Sequence, residues 1–253
     1  MILLTLAVRS QGFDWQYSSR LPFDFPYLFG GLNGSVGYSM HDALLNLSEG
    51  TGDCCKFQDG KGWSSSVGLK TEYWIDGLLA VNAQLSYFTN RAKFIAEGHK
   101  LPFTVFDSQG KIVGHDTVLF GNEMEISVSY LTFEAGGKRR LFDTHLFAGA
   151  ALEFGYLVSN KTTQIERVVT PSYFKYNDGS QVRTLGQHKI SGISKFLFTP
   201  KLLLGYDIPV GLDFYLSPVI SVGFPVNNMS NEGSWKIWNF NFGISVMRAV
   251  AYK

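Results

Sequence analysis

Apolar and polar residues alternate with a period of two along almost the whole chain. That pattern fixes the secondary structure, because only a strand sends successive side chains to opposite faces. Between Trp63 and Ile75 one face carries Trp63, Val67, Leu69, Tyr73 and Ile75, and the other carries Ser64, Ser66, Gly68, Lys70 and Glu72. Leu79, Val81, Leu85 and Tyr87 oppose Asn82, Gln84 and Ser86 after an Asp76-Gly77 pair of hairpin-turn type. Near the C-terminus Trp238, Phe240, Phe242, Ile244 and Val246 oppose Asn239, Asn241, Gly243 and Ser245. In all, about eight strands of roughly 10 to 14 residues are expected, near 27–39, 63–75, 79–93, 117–133, 144–158, 194–206, 212–224 and 236–249.

Alternation alone does not say which face is inside. The polar face is mostly Gly, Ser, Asn and Ala, and 17% of all residues are charged. A soluble barrel needs a well-charged exterior, whereas small residues suit the crowded interior of an eight-stranded barrel. No run of about 18 apolar residues exists beyond the first few positions, which excludes a membrane helix; a mean hydropathy close to zero does not exclude membrane strands, whose two faces cancel in any average. The connections are alternately long and short, which is the habit of an up-and-down barrel with short turns on one side of a membrane.

Aromatic rings mark the strand ends next to the long connections: Tyr38, Trp63, Tyr87, Phe120, Tyr156, Phe196, Phe224 and Trp238. Such a girdle is what a bilayer interface favours. Tyr73, Tyr130, Tyr206 and Phe214 stand at the opposite ends. The expected fold is therefore all-β, an eight-stranded antiparallel up-and-down transmembrane barrel occupying residues 13–253 as one domain. Residues 1–12, with the apolar run MILLTLAV and small residues at Ser10 and Gly12, read as the remnant of a signal peptide lacking its basic start. The other reading is an apolar start to the first strand.

The stretch CCKFQDGKGWSSSVGL resembles the first-loop and second-strand region of outer-membrane barrel-domain proteins of the Bacteroidetes and Ignavibacteria. The architecture is similar to the N-terminal barrel of the outer-membrane protein A family. The stretch WNFNFGISV resembles the C-terminal signal read by the barrel-assembly machinery, though the chain runs on to Lys253 instead of ending on an aromatic residue. The resemblance implies a Gram-negative cell envelope, localisation in the bacterial outer membrane, contact with outer-membrane lipid and lipopolysaccharide, and insertion by the assembly machinery. It says nearly nothing about activity.

Candidate sites are few. On the inferred interior face lie Lys70, Glu72, Glu123, Glu125, Glu153, Lys201 and Asp213. They form a lumen polar network, since buried charges must be paired; the sharper reading is an ion path. Glu123 and Glu125 also have the look of a catalytic acid pair, without a pocket between them. Cys54 and Cys55 are the only cysteines and fall in the first long connection, on an oxidising side of the membrane. Neighbouring Cα atoms are about 3.8 Å apart, against roughly 4.4–6.8 Å in ordinary disulfides. A strained vicinal disulfide that stiffens the loop, free thiols, and a bridge to another chain all stay open, the first being favoured.

No cofactor is expected and no metal-ligand cluster is visible. The five histidines are scattered, and only His115, at the outer end of the fourth strand, is placed where an outer-leaflet hydrolase would need one. The connection 160–189 has more basic than acidic residues and could meet lipid phosphates or a protein partner. The run Lys138-Arg139-Arg140 reads as periplasmic and close to lipid phosphates. A net charge of +1 gives no reason to expect nucleic acid. The function expected is a structural or interaction role through the outer loops, not an enzyme. Alternatives are a narrow ion or small-solute pore, a lipid-modifying enzyme, and a soluble lipocalin-like carrier.

Overall fold

In the computed structural model, residues 26–252 are described apart from 47–55, 107, 108, 143, 177, 190, 191, 211, 212 and 232. The expected signal-peptide remnant and the Cys54–Cys55 pair lie outside the described residues. Ten strands are present: β1 (Pro26–Asn46), β2 (Lys56–Trp74), β3 (Leu79–Phe106), β4 (Ile112–Arg140), β5 (Leu146–Thr170), β6 (Val182–His188), β7 (Phe196–Tyr206), β8 (Ile208–Pro209), β9 (Phe214–Gly223) and β10 (Ser234–Tyr252). Every pairing is antiparallel, in the order β10-β1-β2-β3-β4-β5-β7-β9, and β10 returns to β9. Eight strands thus close a ring in which every strand has a partner on both sides. β6 is an outer addition paired to β5, and β8 a short addition paired to β9.

One end of the barrel is held by short turns. At the first of these, Asp76 accepts hydrogen bonds from the backbone of Leu78 and Leu79, both at 2.7 Å. The carboxylate organises a four-residue turn, so Gly77 does not need the positive φ that a two-residue Asp-Gly turn requires.

The other end differs from expectation. The regions expected as long loops are largely strand. β4 alone has 29 residues; at ~3.3 Å per residue and a tilt near 40°, that is a rise of roughly 70–80 Å. A bilayer core is only ~30 Å thick. β3, β4 and β5 therefore continue far above any membrane as a sheet, which β6 extends.

The barrel wall changes character along this rise while its geometry does not. On β3, even-numbered residues face inward as far as Ala96, where a bulge shifts the register. Below, Leu79, Val81, Leu85 and Tyr87 are exposed on the outside while Asn82 and Ser86 are buried within. Above, Arg91 and Lys93 are outside, while Ala92, Phe94 and Ala96 are buried. The solvent outside is lipid below and water above, so the two faces exchange chemistry without exchanging residues. From Leu79 to Tyr87 the apolar band covers nine positions, about 20 Å of height at that tilt, close to the ~25 Å of a lipid-facing belt.

Candidate functional site

The interior has three layers. At the short-turn end lies a network of charges under an aromatic cover. Glu72 bonds Lys70 at 2.9 Å and Lys138 at 2.7 Å. It also accepts the Tyr215 hydroxyl. Lys138 spans to Asp207 at 3.0 Å, and Asp207 accepts further bonds from Arg140 at 3.3 Å and Ser217 at 2.9 Å. Trp74, Phe147 and Tyr215 stand around the Lys138 ammonium, with ring centroids 4.5–5.2 Å away. Phe29, Ala80, Met247 and Ala249 complete an apolar seal beside it.

In the middle, Lys201 bridges Glu134 at 2.9 Å and Glu153 at 2.6 Å. Around it amides and hydroxyls link strands: Asn33 to Ser245 at 2.8 Å, Gln84 to Asn33 at 3.2 Å, and Ser64 to Asn241 at 2.7 Å. A cavity of about 40 Å³ lies among these groups, room for two or three water molecules at most. Asn82 lines it, and its amide has no protein hydrogen-bond partner, the setting in which a buried water completes a polar network.

The upper layer is apolar. Phe57, Phe88, Phe94, Met124, Ile126, Tyr130, Met229, Trp235 and Ile237 are packed together inside the ring. Its polar centre is His41, set beside Ser39 and Asn90. Trp235 donates its indole N–H to His41 Nδ1 at 3.0 Å, which leaves the proton of the neutral ring on Nε2, facing Asn90 Oδ1 at 3.1 Å. Phe94 meets both rings edge-on.

Two buried clusters thus close the lumen at its ends, and the charges of the lower and middle layers together balance. Four cations (Lys70, Lys138, Arg140 and Lys201) face four carboxylates (Glu72, Glu134, Glu153 and Asp207).

The structure places Lys70, Glu72, Glu153 and Lys201 in this interior, and three expected members elsewhere. Glu125 is exposed on the outside wall. Glu123 is outside as well, bonded to Lys93 at 2.7 Å and near Arg167 at 3.8 Å. Both stand above the lipid belt, where water is the outer solvent and Met124 and Ile126 take the inside. Asp213 is exposed at a short turn, where its carbonyl accepts the Ala249 N–H at 2.7 Å. The members that sequence reading missed are Glu134, Lys138, Arg140 and Asp207. Lys138 and Arg140, expected among lipid phosphates, are instead buried inside; only Arg139 of that run points out. The parity of β4, shared with Thr132 and Glu134, was the signal for both.

In the girdle, Tyr38 meets Trp63 edge-on at 6.1 Å, Tyr156 meets Phe196 at 5.7 Å, and Phe224 meets Trp238 at 5.5 Å. Tyr87 is exposed beside them. Phe120 is not a member. It is 5% exposed and sits high in the outer sheet against Val118, Val168, Phe103, Phe174 and Tyr176. At the girdle's level β4 presents Leu131, the register partner of both Tyr87 and Tyr156. Tyr130, expected at the opposite interface, points inward.

The segment after β5 folds back over the outer sheet. Phe174 packs on Phe103 and Phe120, and the Tyr176 hydroxyl donates to Glu166 at 2.9 Å. Burial and that carboxylate push the Tyr176 hydroxyl's pKa up. The Tyr173 hydroxyl donates to Asp116, and with the Thr117 N–H it holds that carboxyl below its ordinary value. His115 lies in the same tip, 3.4 Å from the Thr104 hydroxyl.

No protein-family model matches the chain, and no curated protein matches it. Among solved structures it is similar to the outer membrane protein OprG from Pseudomonas aeruginosa, with 10% identity, 91% of this chain and 100% of that chain covered, and a TM-score of 0.37. It is also similar to the outer membrane protease OmpT from Escherichia coli, with 10% identity, coverage of 92% and 100%, and a TM-score of 0.33. A third is Neisserial surface protein A, with 8% identity, coverage of 88% and 97%, and a TM-score of 0.34. These are likenesses only. The fold stands on its own strand pairing: a closed, all-antiparallel, eight-stranded barrel with an apolar belt and a polar interior, which is a membrane-spanning β-barrel.

Proposed function

We propose that this is an integral protein of the bacterial outer membrane that acts through the part standing outside the bilayer, as a structural or interaction protein. The observation that carries this reading is the contrast between the two halves. The lumen is closed by apolar clusters at both ends and filled by paired charges between them. β3, β4, β5 and β6 are built well beyond the height a membrane needs, and they expose Leu101, Ile112, Val113, Val182 and Leu185 to water. Such length gives nothing to the membrane span; it presents a surface. On this reading β6, and β3 beyond Ala96, have an edge with no strand partner among the described residues. A strand-like segment of a partner can extend such an edge.

The competing reading is a narrow pore. Reconstitution of the purified barrel in planar bilayers tests between them. No steady conductance above the bare bilayer is expected, because an ion would have to cross the Phe94–Trp235 layer and then break the Lys138–Asp207 pairing. Regular single-channel steps would favour the pore.

A further inference from the structure

The two edges of the outer sheet are not alike. The upper length of β3 carries Pro102, which has no N–H, and proline is a common guard of an edge strand. Lys100 stands two places before it, exposed. β6 has no proline between Val182 and His188, and its backbone is set to pair further. The Gln181 carbonyl accepts the Val168 N–H at 2.9 Å on the β5 side, so across the trans peptide the Val182 N–H points the opposite way. Two residues on, Thr184 repeats that orientation. The Ser180 hydroxyl holds the Val182 carbonyl at 2.7 Å. The Val182 N–H and the backbone groups of Thr184 are left as the polar edge.

Charge is unevenly distributed at this height. On β2, β3 and β4 the outward Lys61, Arg91 and Lys93 stand among Asp59, Glu123 and Glu125, so that wall is balanced. The stretch 157–200, which contains β6, has six basic residues against two acidic ones. Both acidic residues are engaged. Glu166 takes the Tyr176 hydroxyl at 2.9 Å and faces Arg183 in register, and Asp178 accepts the Ser180 N–H at 2.9 Å. Lys161, Lys189 and Lys195 are exposed and have no carboxylate partner among the described residues. Lys161 and Lys189 lie one place beyond the pair of Thr162 with His188 that ends the β5–β6 ladder. They therefore flank the lower end of the open edge.

We infer that β6 receives an acidic, extended segment of a partner protein as a fifth strand of the outer sheet. The inference rests on the interaction reading above and deepens it by naming the edge and the partner's chemistry. The Val182 and Thr184 backbone groups supply the strand pairing. Val182 and Leu185 add exposed apolar contacts, and carboxylates at the lower end meet Lys161 and Lys189. A second copy of this chain does not fit. Two β6 edges would set like charges against each other, and the β3 edge carries the proline.

The test is fluorescence anisotropy of short labelled peptides titrated with the detergent-folded full chain. One peptide alternates valine with glutamate, another valine with lysine, and the third is the valine–glutamate peptide methylated on every backbone nitrogen. Four proteins are compared: the parent, Thr184→Pro, Lys161→Gln/Lys189→Gln, and Lys100→Gln on the other edge. The parent and Lys100→Gln are expected to bind the valine–glutamate peptide alike. Thr184→Pro and the double variant should each bind it roughly tenfold more weakly, and the other two peptides should not bind the parent. Equal binding of the acidic peptide with and without methylation overturns the strand, since charge alone would then suffice. Equal binding by the parent and both weakened variants overturns the site, as does binding of the lysine peptide as tightly as the acidic one. A parent that sediments as a dimer while Thr184→Pro is a monomer would make a second copy the occupant and overturn the acidic partner. Each protein is also run on a gel with and without boiling, and a mobility shift certifies its closed barrel. If no protein shifts, the outer-membrane reading itself has failed, and the edge with it.

Discussion

Changing Glu72 to glutamine should lower the unfolding free energy by about 3–5 kcal/mol. Glu72 is fully buried and takes two ammonium groups and the Tyr215 hydroxyl. Glutamine keeps the shape but removes the charge, so a closed lumen with four cations and four carboxylates is left with one cation in excess. Water cannot solvate that cation, because Trp74, Phe29 and Met247 seal this end. Adding Lys138→Met should recover part of the loss. With both changes the count balances again, and Asp207 still holds Arg140 at 3.3 Å. Urea titration of the barrel folded into phospholipid vesicles measures all three proteins. A loss below about 1 kcal/mol for the single variant would mean that solvent screens the network, which contradicts a sealed lumen.

The second large effect is expected at the opposite end. Trp235 is 0% exposed and is the centre of the upper cluster, touching Phe94 edge-on and holding His41 through its indole N–H. Trp235→Ala leaves a cavity in a confined layer and should cost about 3–5 kcal/mol. Trp235→Phe separates the two contributions. It keeps an aromatic ring against Phe94 but leaves His41 Nδ1 without its donor, a loss on the order of 1–3 kcal/mol. The same titration reads both variants. Near-equal losses for alanine and phenylalanine would place the energy in the hydrogen bond and not in the packing.

Much of this architecture is legible in period-two alternation. The faces of β10 follow from it, as do those of β2, the lower part of β3, and β9 from Phe214 onward, Asp213 just before it being exposed. The errors share one physical cause. Alternation records two faces and does not say when the solvent outside one of them changes. On β4, Leu131 and Phe133 are lipid-facing, and Glu123 and Glu125 have the same parity. Grouping residues by chemistry put the two glutamates inside; following parity through the strand puts them outside, above the lipid.

The same choice hid Lys138 and Arg140, which looked like a basic surface run yet share the parity of buried Glu134. Asp207 gave no such signal. It lies just past the end of β7, in a short connection where polar residues are ordinary, and only the closed ring brings it under β4. The outer sheet was also hard to read. Bulges near Ala96, Ser129 and Gln164 shift the register, and each shift breaks the periodicity that announces a strand.

The central claim is that the ring closes in a membrane with its apolar face outward. Heat-modifiability tests it most directly: the detergent-extracted envelope fraction is run on a denaturing gel with and without boiling. A compact, fast-migrating species that slows on boiling, found in the outer-membrane fraction, is the expected result. A protein in the soluble fraction with no shift would contradict it, because Leu69, Val81, Phe133 and Phe242 could not then face outward.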